Sequence, residues 1–177
     1  MSEIKSPEAM CFYGFQIAME NIHCVTGETK ILTDNGYYMI KWSDCCRNGA
    51  IVNMANPLSE SMSFLTYVNV DSASPNSSPT FLAPPVSYLP ANTLWQYNPL
   101  PFDPDGDSLV WNLSVPLSNN TTVAGYQYLS DTVLYSNTTG IFSMDAITGE
   151  ITWGPKMVGN FVASFAIQEY RNGVLVG

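Results

Sequence analysis

Leu109-Val110-Trp111-Asn112-Leu113-Ser114-Val115 carries the clearest strand signal in the chain. Leu109, Trp111, Leu113 and Val115 fall on one face of an extended chain, with Asn112 and Ser114 on the other. That period of two buries one side of a sheet and leaves the other wet. Phe161, Ala163, Phe165 and Ile167 repeat the pattern towards the C-terminus. Further β-rich runs cover Tyr37 to Trp42, Gly49 to Asn53 and Ser61 to Val70. Phe142 to Trp153 reads as strand, tight turn and strand, with Gly149 supplying the turn and Asp145 bonding local backbone. One segment, Pro7 to Ile22 with Ser6 as a cap, competes as a helix, but Gly14 and its aromatics weigh at least equally for strand. The expectation is an all-β chain.

Asp71-Ser72-Ala73-Ser74-Pro75-Asn76-Ser77-Ser78-Pro79 is polar and proline-containing, with nothing to bury, and marks a boundary. It divides the chain into a cysteine-containing β-rich domain (1–72), a linker (73–79) and a cysteine-free unit (80–177). The second unit has the size and strand spacing of an immunoglobulin-like sandwich. Its start, Ala83-Pro84-Pro85, suits a sheet edge, because proline donates nothing to a ladder. Its end, Tyr170-Arg171-Asn172-Gly173, predicts a hairpin, because Asn-Gly suits a type I′ turn. The returning strand, Val174 to Gly177, is short, so the sandwich is expected to be truncated at its last strand and the native polypeptide to continue.

Composition narrows the function classes. Hydrophobic residues make up 46% of the 177, enough for a core, while charged residues make up only 12%. A net charge of −9 argues against a nucleic-acid binder, which needs a basic footprint, and disfavours anionic lipid surfaces. No apolar run is long enough for a transmembrane helix, and the N-terminus lacks the features of a signal peptide. Cys11, Cys24, Cys45 and Cys46 form an even set, which fits disulfides in an oxidising compartment. Cys45 and Cys46 are too close along the chain for ordinary disulfide geometry, so each is expected to pair elsewhere, with Cys11 and Cys24 as the available partners.

Asp103-Pro104-Asp105-Gly106-Asp107 concentrates three carboxylates in five residues. Between Arg47 and Lys156 the sequence holds eight carboxylates and no basic residue, so a salt-bridge network is not expected there. Like charges packed this tightly repel unless a cation joins them. Calcium is the expected ion, because it takes several oxygen ligands. Pro104 keeps Asp103 extended and Gly106 frees the turn, so Asp103, Asp105 and Asp107 can converge. The loop is not an EF-hand: its glycine is fourth, Ser114 stands at the twelfth place and a strand follows. Asp145 joins the expected metal-ligand set, with Glu150 and Glu169 as further candidates on charge alone.

These motifs carry a resemblance. Asp103-Pro104-Asp105-Gly106-Asp107-Ser108-Leu109 and Asp145-Ala146-Ile147-Thr148-Gly149-Glu150-Ile151 resemble cadherin-like, immunoglobulin-type modules of large bacterial surface proteins. Glu169-Tyr170-Arg171-Asn172-Gly173 is similar to a run in secreted proteins of gliding Bacteroidetes, as is Trp42-Ser43-Asp44-Cys45-Cys46-Arg47-Asn48 with Ile51 and Asn53 after it. The resemblance covers residues 36–177 and implies an exported, multidomain, adhesin-like surface protein. Its partners would be neighbouring modules of the same polypeptide, surface glycans or other surface proteins.

Catalytic readings find little support. Cys24-Val25-Thr26-Gly27-Glu28-Thr29-Lys30-Ile31-Leu32 resembles the opening block of a self-splicing intein, but no histidine follows His23 to move the protons. A serine triad has only His23 to draw on. The expectation is therefore a noncatalytic extracellular module with calcium as a structural ion. The alternatives are a carbohydrate-binding module, using Trp95, Tyr97, Trp111, Trp153, Tyr126 and Tyr128, or a subunit of a surface filament. Trp111 and Trp153 also read as core residues.

Overall fold

A computed structural model describes residues 15–16, 36–70, 75–83, 88–119, 121–131 and 141–177. It is all-β, with several antiparallel sheets consistent with a β-sandwich. The strands are β1 (Phe15–Gln16), β2 (Gly36–Asp44), β3 (Met62–Val70), β4 (Thr80–Phe81), β5 (Trp95–Tyr97), β6 (Pro101–Phe102) and β7 (Ser108–Leu113). They continue as β8 (Leu117–Ser118), β9 (Thr121–Thr122), β10 (Ile141–Met144), β11 (Ile151–Gly154), β12 (Val162–Ala163), β13 (Phe165–Arg171) and β14 (Val174–Leu175). Among the described residues the helical content is a single 3-10 turn at Pro57–Ser59, and no helix is long and apolar enough to cross a membrane.

β2 and β3 form a ribbon paired along its whole length, from Gly36 opposite Val70 to Asp44 opposite Met62. At its base Ser63 pairs with Leu117, joining the ribbon to the β8–β9 hairpin. β10, β11 and β5 make a second sheet, and β14, β13 and β7 a third. In the third, Phe165 lies opposite Leu113 and Tyr170 opposite Ser108. Asn172 and Gly173 both take positive φ, 52° and 81°, and turn β13 into β14 as the Asn-Gly pair predicts.

Two neighbouring clusters make the core. One gathers Leu129, Ile151, Trp153, Phe161 and Ala163, and the other Ile51, Met54, Val123 and Val162. The second draws Ile51 and Met54 from before the linker and the rest from after it. Polar anchors cross the same division. Asn53, 0% exposed, donates Nδ2 to the Gln127 and Val162 carbonyls at 3.0 and 2.8 Å and accepts the Val162 amide at 2.9 Å. Arg47, also buried, donates to the carbonyls of Ser61 and Leu117. Burial pulls its pKa below the ordinary value, against the opposing pull of Glu60 and Tyr126. The residues before and after the linker thus share a core and a hydrogen-bond network.

Three sequence expectations are corrected. Gly49 to Asn53 is not a strand: it turns, and contributes one parallel bridge from Ile51 to Asn160 while Asn53 and Met54 anchor it. Phe161, Val162 and Ala163 are all buried, because this stretch separates the two clusters and packs on both sides. Cys45 and Cys46 are bonded to each other. Their shared peptide bond is cis, and the two Cα atoms lie 3.2 Å apart. Phe15–Gln16 is strand, but most of the helix candidate Pro7 to Ile22, together with Cys11, His23 and Cys24, lies outside the described residues.

Candidate metal centre

The aspartate loop connects β6 to β7, and its first carboxylate organises it. Asp103 Oδ1 accepts the amides of Asp105 and Asp107 at 2.9 and 3.0 Å, and Gly106 takes φ 79° to complete the turn. Asp103 Oδ2 is shut off from solvent with no hydrogen-bond partner. Buried polar atoms are nearly always satisfied, so this oxygen needs an explanation.

β13 supplies the rest of the site. Glu169 pairs with Leu109 across the sheet, which sets its side chain beside the start of β7. Glu169 is 6% exposed, and its backbone bonds Val176 and Gly177 while Asn76 Nδ2 donates to Oε2. The carboxylate oxygens of Asp103, Asp107 and Glu169 come within 4.8 Å of one another, an arrangement positioned to hold a metal ion. Burial pushes the Glu169 pKa up to about 7, opposed by the Asn76 hydrogen bond and reinforced by Asp103, Asp107 and Asp105.

Arg171 stands two residues along β13, on the same side of the strand as Glu169. Its Nε and Nη2 reach Asp107 Oδ1 and Oδ2 at 2.8 and 2.7 Å, a bidentate pair. Nη2 also lies 3.6 Å from Asp105 Oδ2. The same guanidinium donates to the Pro75 carbonyl and Asn76 Oδ1, so it ties residues of the linker to the site. The Asp107 hydrogen bond holds the Arg171 pKa above its ordinary value. The expectation that no basic residue answers the loop is therefore corrected. Arg171 is 64 residues from Asp107 in sequence and in contact with it in the fold.

Of the four residues expected to share an ion, Asp103 and Asp107 are brought together, while Asp105 and Asp145 are not in the cluster. Asp105 instead accepts the Ser77 amide and faces Arg171. Asp145 caps the β10–β11 turn, where Oδ1 accepts the amides of Ile147 and Thr148 and the Thr148 hydroxyl. Those bonds, the Thr148 amide first, hold its pKa below the ordinary carboxylate value. In the sequence Glu169 is a candidate ligand on charge alone, and Arg171 reads only as part of the hairpin. The signal for both was present: Glu169-Tyr170-Arg171 on a strand puts an acid and a base on one face.

None of the six aromatics considered for sugar stacking is fully exposed. Trp111 and Trp153 are 2% and 3% exposed. Trp95 and Tyr97 stack at 5.4 Å against the first core cluster, and the Tyr126 hydroxyl donates to the Val162 carbonyl. Burial pushes the Tyr126 pKa well up, helped by Tyr128.

Comparison with known proteins adds one short similarity. A stretch of 26 residues is 73% identical to the ribonucleoside-diphosphate reductase small subunit of Dictyostelium discoideum, covering 15% of this chain and 8% of that protein. The small chain of the Trypanosoma brucei brucei enzyme is 69% identical over 26 residues, with the same coverage. The chain thus spans less than a tenth of the length of these relatives. No family model and no solved structure matches.

Proposed function

We propose that this chain is a noncatalytic extracellular module of a cell-surface protein, with an adhesive or surface-structural role, stiffened by calcium at Asp103, Asp107 and Glu169. The observation that carries the ion is the convergence of three carboxylates within 4.8 Å around a loop whose Asp103 Oδ2 is buried without a partner. Arg171 compensates one charge of the three and is already committed to Asp107. The donors are hard oxygens without nitrogen or sulfur, which suits calcium better than zinc, and calcium's flexible coordination tolerates ligands completed by water. The acidic, weakly charged composition and the module-like motifs support a surface role.

The ion would bridge β7 and β13 through the loop ahead of β7. Binding to the native state alone adds RT ln(1 + [L]/Kd), about 2.7 kcal/mol at a hundredfold excess over Kd. Thermal melts in calcium, magnesium, zinc and chelator test this. Calcium is expected to raise Tm most, and Asp103→Asn to remove most of that rise. A melt that neither calcium nor chelator moves would overturn the calcium assignment.

A further inference from the structure

The Cys45–Cys46 bond lies where the β2–β3 ribbon meets the rest of the fold. Asp44 pairs with Met62, and three residues later the Arg47 amide donates to the Glu60 carbonyl at 3.0 Å. Cys45 and Cys46 therefore stand opposite the single residue Ser61, a two-against-one bulge closed on itself by the sulfur–sulfur bond. Both cysteines are exposed, whereas Arg47 next to them is buried. Arg47 Nη2 reaches the Leu117 carbonyl at 2.8 Å, and the Ser61 amide donates to Ser118 Oγ at 3.0 Å. The ring thus borders the contacts that fasten the ribbon to β8, with solvent access for a thiol on one side and a buried anchor on the other.

We propose that Cys45–Cys46 is a reversible thiol–disulfide site whose oxidation state sets how firmly the ribbon is fastened to β8. The reductant is an external thiol of low molecular weight. Its thiolate attacks one sulfur, forming a mixed disulfide while the other cysteine sulfur leaves as a thiolate and takes a proton. A second thiolate attacks the external sulfur of the mixed disulfide, releasing the external disulfide and the second cysteine, which is also protonated. The protein gains two electrons and two protons, and a disulfide oxidant reverses the step. Opening the ring frees the backbone on either side of the bulge, and the Arg47 and Ser61 hydrogen bonds are the first to feel it.

The test uses the full chain with Cys11→Ser and Cys24→Ser, so that the remaining thiol chemistry belongs to this pair. Dithiothreitol and its oxidised form are the probes. Trypsin cuts after Lys41 and Arg47, so one peptide, Trp42 to Arg47, carries both cysteines. Native alkylation should add no label to it before reduction, two labels after reduction and none after reoxidation. Amide exchange at Arg47 and Ser61 should rise about threefold or more on reduction and return on reoxidation, with the β10–β11 hairpin unchanged. Cys45→Ser/Cys46→Ser should reproduce the reduced exchange pattern; if that double variant does not fold, the redox cycle on the Cys11→Ser/Cys24→Ser chain decides. Two labels before reduction would overturn the proposal, as would exchange that ignores the redox state. In the parent sequence, a disulfide from Cys45 or Cys46 to Cys11 or Cys24 would overturn it too.

Discussion

Arg171 and Asp107 are joined by two parallel hydrogen bonds, Nε to Oδ1 at 2.8 Å and Nη2 to Oδ2 at 2.7 Å. The Asp107 side chain is 2% exposed and the Arg171 side chain 25%. The acid is therefore the member that suffers if the pair is broken, because a buried carboxylate is left without its cation. A guanidinium fork fits both carboxylate oxygens, whereas an ammonium meets them as a point charge. Urea midpoints should fall in the order wild type, Arg171→Lys, Arg171→Ala. Equal midpoints for the lysine variant and wild type would show that the fork geometry contributes nothing. If the cluster binds calcium, saturating calcium should narrow the gap for Arg171→Ala, since the ion supplies the missing positive charge.

Glu169 makes stability depend on pH in an unusual direction. Its folded pKa, about 7, lies above the ordinary 4.5, so the folded state holds the proton more tightly than the unfolded state does. Protonation therefore favours folding, and the benefit is complete below about pH 4.5 and lost as pH rises through about 7. The full difference is on the order of 3 kcal/mol. Asp145 has the opposite sign: its lowered pKa stabilises above the ordinary 3.8 and that contribution fades as pH falls through its folded value. In chelator, Glu169→Gln should flatten the decline between pH 4.5 and 7.5 and gain stability at the upper end. If calcium binds the cluster, the wild type in calcium should show the flattened profile too. A wild-type profile in chelator that rises across that window would contradict the burial of Glu169.

Gly149 sits against Trp111 with φ 70°, and a Cβ built there would meet the indole ring at 2.5 Å. Trp111 packs in turn against Phe165 at 5.0 Å and Phe81 at 5.7 Å. Gly149→Ala combines a positive-φ penalty with overpacking and should cost about 3 kcal/mol in equilibrium unfolding. A cost near zero would mean that the ring and the turn separate easily.

Asn53 offers a sharper comparison. Its amide nitrogen serves two carbonyls and its oxygen accepts the Val162 amide, all from a fully buried position. Asn53→Ala leaves those backbone groups unsatisfied and should cost about 3 kcal/mol. Asn53→Asp keeps the shape but loses both donors and adds a buried charge, so it should be at least as damaging at neutral pH. An aspartate variant as stable as wild type at pH 7 would refute the assigned network.

The hairpins were legible in the residues. Tyr170-Arg171-Asn172-Gly173 and Asp145 to Glu150 turn where their glycines and Asx side chains demand it, because turn chemistry is local. Alternation located β7 and β13, but Leu113 on the expected inner face is 38% exposed while Trp111 is 2% exposed. Period two assigns a face, and only packing says how much of that face is covered. Gly49 to Asn53 misled for a related reason: its apolar residues serve one bridge and a core anchor rather than a ladder.

The all-β class, the two Gly-directed hairpins and a loop with three carboxylates in five residues are all readable from local residue patterns. Periodicity, turn residues and charge density act over a few positions. Which charges meet is set by the long-range packing of the strands, which local patterns do not reveal. The tertiary structure replaced Asp105 and Asp145 by Glu169 in the cluster and brought Arg171 to Asp107. It also closed Cys45 on Cys46 and buried Asn53 against β12. The charge and amide contacts among them follow from strand register and long-range packing, which the spacing of residue types along the chain does not fix.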